Sequence, residues 1–227
     1  MDIHETIRDI KAQFRLFMNG AVSQSMREQG IDYKLNFGIE LPRLKEISLR
    51  YEKNHALAQA LWKENVRECK ILASMLQPID SFLPEIADMW VETVERQEIA
   101  ELTCMNLFQH LPYASEKAFQ WMADEREFFQ VCGFLTLARL IMKNECLEER
   151  AENEFLDQAM ATLCNLSESY RAAHASFVAL RAYAICNASQ SGKVLKQMAP
   201  LAQNEDERLR NYYALLQQEL KGEGSGG

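Results

Sequence analysis

Apolar and small residues recur every three to four positions along almost the whole of this chain, and no useful stretch alternates as a half-buried strand would. That periodicity admits helices and little else. Prolines punctuate it where helices should begin or join, at Pro42, Pro78, Pro84 and Pro112, with Pro200 at a late boundary. Glycine is equally sparse. Gly20, Gly30, Gly38 and Gly192 fall in expected connections, whereas Gly133 interrupts a strong helical pattern at a cost of roughly 1 kcal/mol relative to alanine.

The spacing predicts helices over 2–19, 21–29, 41–53, 55–63, 65–76, 81–93, 95–110, 114–123 and 125–144. The last part should hold 148–166, 168–187, 190–198 and 200–221. Helix pairs repeating at roughly 30–40 residues suit an all-α solenoid of HEAT-like repeats, a curved α-α superhelix, better than a closed bundle. A single domain is expected over 1–221, with 222–227 as a flexible Gly/Ser tail.

The chain's 227 residues, 48% of them hydrophobic, are enough for one sizeable core. No apolar run approaches the ~18–20 residues that span a bilayer, and the start, MDIHETIRDIKAQF, lacks a secretory apolar segment. A cytoplasmic location and no membrane partner are therefore expected. Six cysteines (69, 104, 132, 146, 164 and 186) form no CxxC pair, and most lie in apolar helical stretches, as reduced core thiols do. Histidines 4, 55, 110 and 174 are scattered, so no metal is expected, and with no Gly-rich phosphate loop or nucleotide fingerprint no cofactor is expected either.

A net charge of −8 opposes nonspecific attraction to phosphate. The charge is unevenly spread. Residues 1–50 hold 8 basic and 7 acidic residues, 51–150 hold 10 and 17, and 151–200 balance at 4 and 4. A phosphate-facing surface is therefore expected from the first fifty residues and from the stretch near Arg171 and Arg181.

The segment from Tyr33 to Leu76 carries the most information. YKLNFGIELPRLKEI reads as an extended lead-in and a proline-started helix, and HALAQALWKENVRECKILASML as two amphipathic helices. In order and spacing these blocks resemble the amino-terminal signature of the DNA alkylation repair family. The resemblance implies HEAT-like helical repeats that bind duplex DNA on a concave face, some members being glycosylases that excise alkylated purines.

Three further blocks resemble the family's functional segments. MWVETVERQEIAEL at 89–102 is similar to a Trp-Trp-Asp-x-Val-Asp segment, with Trp90 at the first tryptophan, Val91 at the second and Glu95 at the last aspartate. The resemblance gives Glu95 a role in stabilising positive charge on the sugar as the base departs, and Trp90 a supporting catalytic role. EFFQVCGFLTLARLI at 127–141 sets Val131 and Cys132 where the family has an arginine pair. HASFVALRAYA at 174–184 keeps Leu180, Arg181 and Tyr183, with Val178 at a tryptophan position, His174 at a lysine and Phe177 one position away.

Lys34, Arg43, Lys45, Arg171 and Arg181 are the expected DNA contacts. Three readings follow. The chain binds DNA with weak glycosylase activity or by recognition alone; it is an active alkylpurine glycosylase using Glu95 with Trp90 or Phe177; or it is a noncatalytic HEAT-like scaffold for a protein partner.

Overall fold

A computed structural model of the chain describes residues 2–28, 33–143 and 147–223. Those residues form α-helices and short 3₁₀ turns, with no strand among them. The chain parts into two compact units, Met1–Leu111 and Pro112–Gly227.

The first unit holds α1 (Ile3–Leu16), α2 (Gly20–Glu28), α3 (Leu41–Ser48), α4 (His55–Lys63), α5 (Arg67–Leu76), α6 (Pro84–Glu92) and α7 (Gln97–Asn106). Helix α5 packs against α3, α4 and α7, and α1 packs on α4. Ile10, Phe14, Leu44, Ile47, Leu61, Ile71 and Leu72 meet there without solvent contact. Asn54 caps α4 by accepting the Leu57 N–H at 2.9 Å, and Pro42 and Pro84 stand in the first turns of α3 and α6.

The second unit holds α8 (Ala114–Met122), α9 (Glu127–Met142), α10 (Glu149–Cys164), α11 (Tyr170–Ala184), α12 (Ala188–Met198) and α13 (Glu207–Glu223). Its core runs through the pairs α8/α9, α9/α11 and α10/α11, with α12 packed on both α11 and α13. Gly133 sits where α9 crosses α8, and a Cβ there would meet the Met122 nitrogen at 2.6 Å. The close crossing explains a glycine inside a helix.

Several expected helices end early for identifiable reasons. The one over 2–19 stops at Leu16, because Asn19 turns its N–H to the Phe37 carbonyl (2.8 Å) and its side chain to the Val22 N–H (3.2 Å). The one over 200–221 is broken by Asn204 and Asp206, whose side chains accept the backbone N–H groups of Asp206 and Arg208. Gly192, expected in a connection, lies inside α12. Helix α13 runs to Glu223, into the expected tail; residues 224–227, together with Gly30 and Cys146, lie outside the described residues. Cys69, Cys104 and Cys132 are buried, whereas Cys164 and Cys186 are exposed. Among the described residues no helix is long and apolar enough to cross a membrane.

Candidate functional site

The lead-in over 33–40 is held by a buried ionic knot. Gly38 adopts φ 68°, and a Cβ there would stand 2.2 Å from the Asn19 carbonyl oxygen, so this turn requires glycine. The fully buried Glu68 carboxylate accepts the N–H groups of Phe37 and Ile39 at 3.2 and 3.3 Å. Arg67, beside it on α5, donates from Nη1 to the Ile39 carbonyl at 2.9 Å and to Glu68 at 3.1 Å. Its Nε and Nη2 reach both oxygens of Glu98 on α7, at 2.8 and 2.5 Å, and the Tyr33 hydroxyl donates to Glu98 at 2.7 Å. Burial alone would raise the Glu98 pKa, but the Arg67 and Tyr33 hydrogen bonds and the Arg67 charge hold it below the usual carboxylate range. Burial and the Glu98 carboxylate push the Tyr33 phenol upward.

Over this knot lies a cleft of about 420 Å³, lined by the lead-in, the α4–α5 turn and the α6–α7 connection. Among the described residues, five cationic side chains line it, Lys34, Lys63, Arg67, Lys70 and Arg96, with one carboxylate, that of Glu95. Arg67 is spoken for by Glu68 and Glu98, which leaves four cations facing the opening. Lys34, Lys63 and Glu95 are exposed, while Lys70 is half-buried. The Lys70 ammonium donates to the Trp62 carbonyl at 2.9 Å and lies 4.8 Å from the centre of the Trp62 ring. Burial lowers its pKa, and the nearby Glu95 charge offsets part of that effect. The Arg96 guanidinium stands 6.0 Å from the Tyr33 ring.

Of the residues expected to act, Glu95 and Lys34 line this cleft. Trp90 does not. It is 2% exposed, stacked on Trp62 at 4.0 Å with the rings 4° from parallel, edge-on to Phe82, and its indole N–H donates to Gln59 at 3.1 Å. These partners make Trp90 a packing residue. Val91, at the second tryptophan position, is buried as well, and so are Val131 and Cys132. Arg43 and Lys45 project from the exposed side of α3, where Arg43 pairs with Glu46 and lies over the Phe17 ring.

In the second unit, Arg171 pairs with Glu127 at 3.1 Å beside a hollow lined by Glu125, Glu127 and Glu168, a poor setting for phosphate. Arg181 forms a two-pronged pair with Glu219 of α13. Phe177 is buried against Tyr212, whereas His174 is exposed and hydrogen-bonds the Tyr212 hydroxyl at 3.1 Å.

Sequence reasoning missed Lys63, Lys70 and Arg96. Each lies in the strongly acidic 51–150 stretch, where the charge tally argues against a phosphate-facing surface. Their common signal is location: all three flank turns that the resemblance had already marked, WKENVRECK and TVERQE.

The fold and the cleft together define a HEAT-like helical-repeat protein with a cationic groove. The sequence profile of the family described as DNA alkylation repair enzyme matches residues 10–212, and the chain belongs to that family. A search of the curated proteins gives no match. Among solved structures, one described as a new family of proteins related to the HEAT-like repeat DNA glycosylases with affinity for branched DNA structures superimposes with a TM-score of 0.79. The match covers 97% of this chain and 94% of the other at 17% identity, a likeness of fold.

Proposed function

We propose that this protein binds DNA, and that the cleft of the Met1–Leu111 unit receives the sugar–phosphate backbone of a duplex. The observation that carries this reading is the gathering of Lys34, Lys63, Lys70 and Arg96 around one opening in a chain of net charge −8. Basic side chains that contact phosphates position a protein on the duplex without reading bases. Lys45 is exposed on α3 but is not among the residues that line the cleft. Arg43, Arg171 and Arg181 contribute less, because a phosphate must displace Glu46, Glu127 or Glu219 from them. The relative described as having affinity for branched DNA makes a junction the first alternative to a plain duplex.

Excision of alkylated purines is a second reading, favoured by Glu95 at the cleft. A carboxylate there would stabilise positive charge growing on the sugar. Against it stand the burial of Trp90 and Val91, which leaves no tryptophan of that motif to stack on the base. A noncatalytic protein scaffold is the remaining alternative, favoured by the net charge and by exposed Leu16, Met18 and Leu49.

The test is fluorescence anisotropy with an undamaged duplex, a duplex carrying an abasic-site analogue and a four-way junction. The expected result is micromolar or tighter binding at low salt, weakened by about tenfold or more in Lys34→Glu/Lys63→Glu. Unchanged affinity in that variant, or no binding at low salt, overturns the reading and favours the scaffold. Release of free base from a methylated duplex, lost in Glu95→Gln with affinity intact, would add excision to binding.

A further inference from the structure

We propose that Lys70 is a nucleophile toward abasic sites in DNA, forming a Schiff base with the open-chain sugar aldehyde while Glu95 serves as the base that drives strand cleavage. This rests on the reading of the cleft as a DNA site and extends it to a reaction.

The cleft supplies the needed arrangement. Lys70 is the half-buried amine on its wall, anchored by a hydrogen bond to the Trp62 carbonyl and backed by the Trp62 ring. A neutral amine keeps that donor bond and still has its lone pair free to attack. Desolvated lysines serve as Schiff-base nucleophiles because burial favours the free amine, and burial is the largest influence on Lys70. Lys34, Lys63 and Arg96 surround it as the phosphate-holding charges. Lys34 and Lys63 are exposed and correspondingly poorer nucleophiles.

The steps balance without oxidant or metal. The Lys70 amine adds to the C1′ aldehyde and its proton passes to the oxygen; a second proton, taken from solvent, lets that oxygen leave as water and gives a protonated imine. The Glu95 carboxylate takes a C2′ proton; the C2′–C3′ double bond forms as the C3′–O3′ bond breaks, and the 3′ phosphate departs on the downstream strand. Water then hydrolyses the imine, returning the free lysine and leaving an unsaturated aldehyde on the upstream strand. No excised base is required, so the loss of the family's stacking tryptophan does not bear on it.

Borohydride trapping on an abasic duplex tests the proposal, with affinity for the same duplex measured in parallel. The wild type should give a covalent protein–DNA adduct whose modified residue, read by mass spectrometry, is Lys70. Lys70→Arg, which offers no nucleophilic amine, should lose trapping at least tenfold at protein concentrations that saturate the duplex, so that a change of affinity is separated from the loss of chemistry. Lys196→Arg, at an exposed lysine of α12 outside the cleft, should trap normally, and Glu95→Gln should trap but cleave the strand at least tenfold more slowly. Binding without an adduct, or an adduct mapped to another lysine, overturns the proposal and leaves the DNA reading standing. Absence of binding overturns both.

Discussion

Arg67 joins three segments distant in sequence: the lead-in through the Ile39 carbonyl, its own helix through Glu68, and α7 through Glu98. At 4% exposure it has no water to fall back on, and neither does Glu68 at 0%. Removing one partner of such a pair leaves an uncompensated buried charge, which costs about 3–5 kcal/mol. Arg67→Met should therefore lower stability by about that amount in urea unfolding. Its pH profile should change as well. The Glu98 pKa is depressed in the folded state, so its contribution is present above the unfolded value of 4.5 and is lost as pH falls through the folded value. The wild type should lose this increment on acidification, and the variant should lack that part of the acid limb. An unchanged midpoint and acid limb would mean that the knot is energetically idle. The Arg-Glu pair was visible in the sequence as part of a family signature. Its partners were not, because Glu98 lies 31 residues from Arg67 and no periodicity connects them.

At the scale of elements, each helix read from spacing has a counterpart among the described residues, since apolar periodicity directly encodes which face is buried. The helix ends were poorly legible where side chains compete for backbone donors, as at Asn19 and at Asn204–Asp206. Gly133 and Gly192 make the same point in opposite directions. Both are helical, but a Cβ on Gly133 would strike the α8 backbone at Ala118 and Met122, whereas one on Gly192 meets nothing within 4 Å. Gly133→Ala should destabilise by about 1–2 kcal/mol net, crowding outweighing the gain in helix propensity. Gly192→Ala should be neutral or stabilising by up to about 1 kcal/mol. Paired thermal melts decide it, and equal responses at the two sites would contradict the crossing geometry.

For the molecule as a whole, the net charge of −8 conceals a local sign reversal. The tally by segment pointed to the first fifty residues, yet Lys63, Lys70 and Arg96 come from a stretch with seventeen acids, because folding sorts charges by place rather than by position in the chain. The same sorting neutralises Arg171 and Arg181 through Glu127 and Glu219. A prediction separates the two groups without relying on absolute affinity. If Lys34, Lys63 and Arg96 each meet a phosphate, the logarithm of the binding constant should fall against log salt with a slope of about −3. Lys34→Gln/Lys63→Gln should flatten that slope by about two, one for each phosphate no longer neutralised. Arg171→Gln/Arg181→Gln removes the same formal charge from the chain and should leave the slope unchanged. A slope that responds equally to both double variants would mean that net charge alone governs attraction to DNA. A slope that responds only to the arginine pair would move the DNA contact to the Pro112–Gly227 unit. The contrast works because long-range attraction depends on total charge, whereas counterion release counts only cations that touch phosphate.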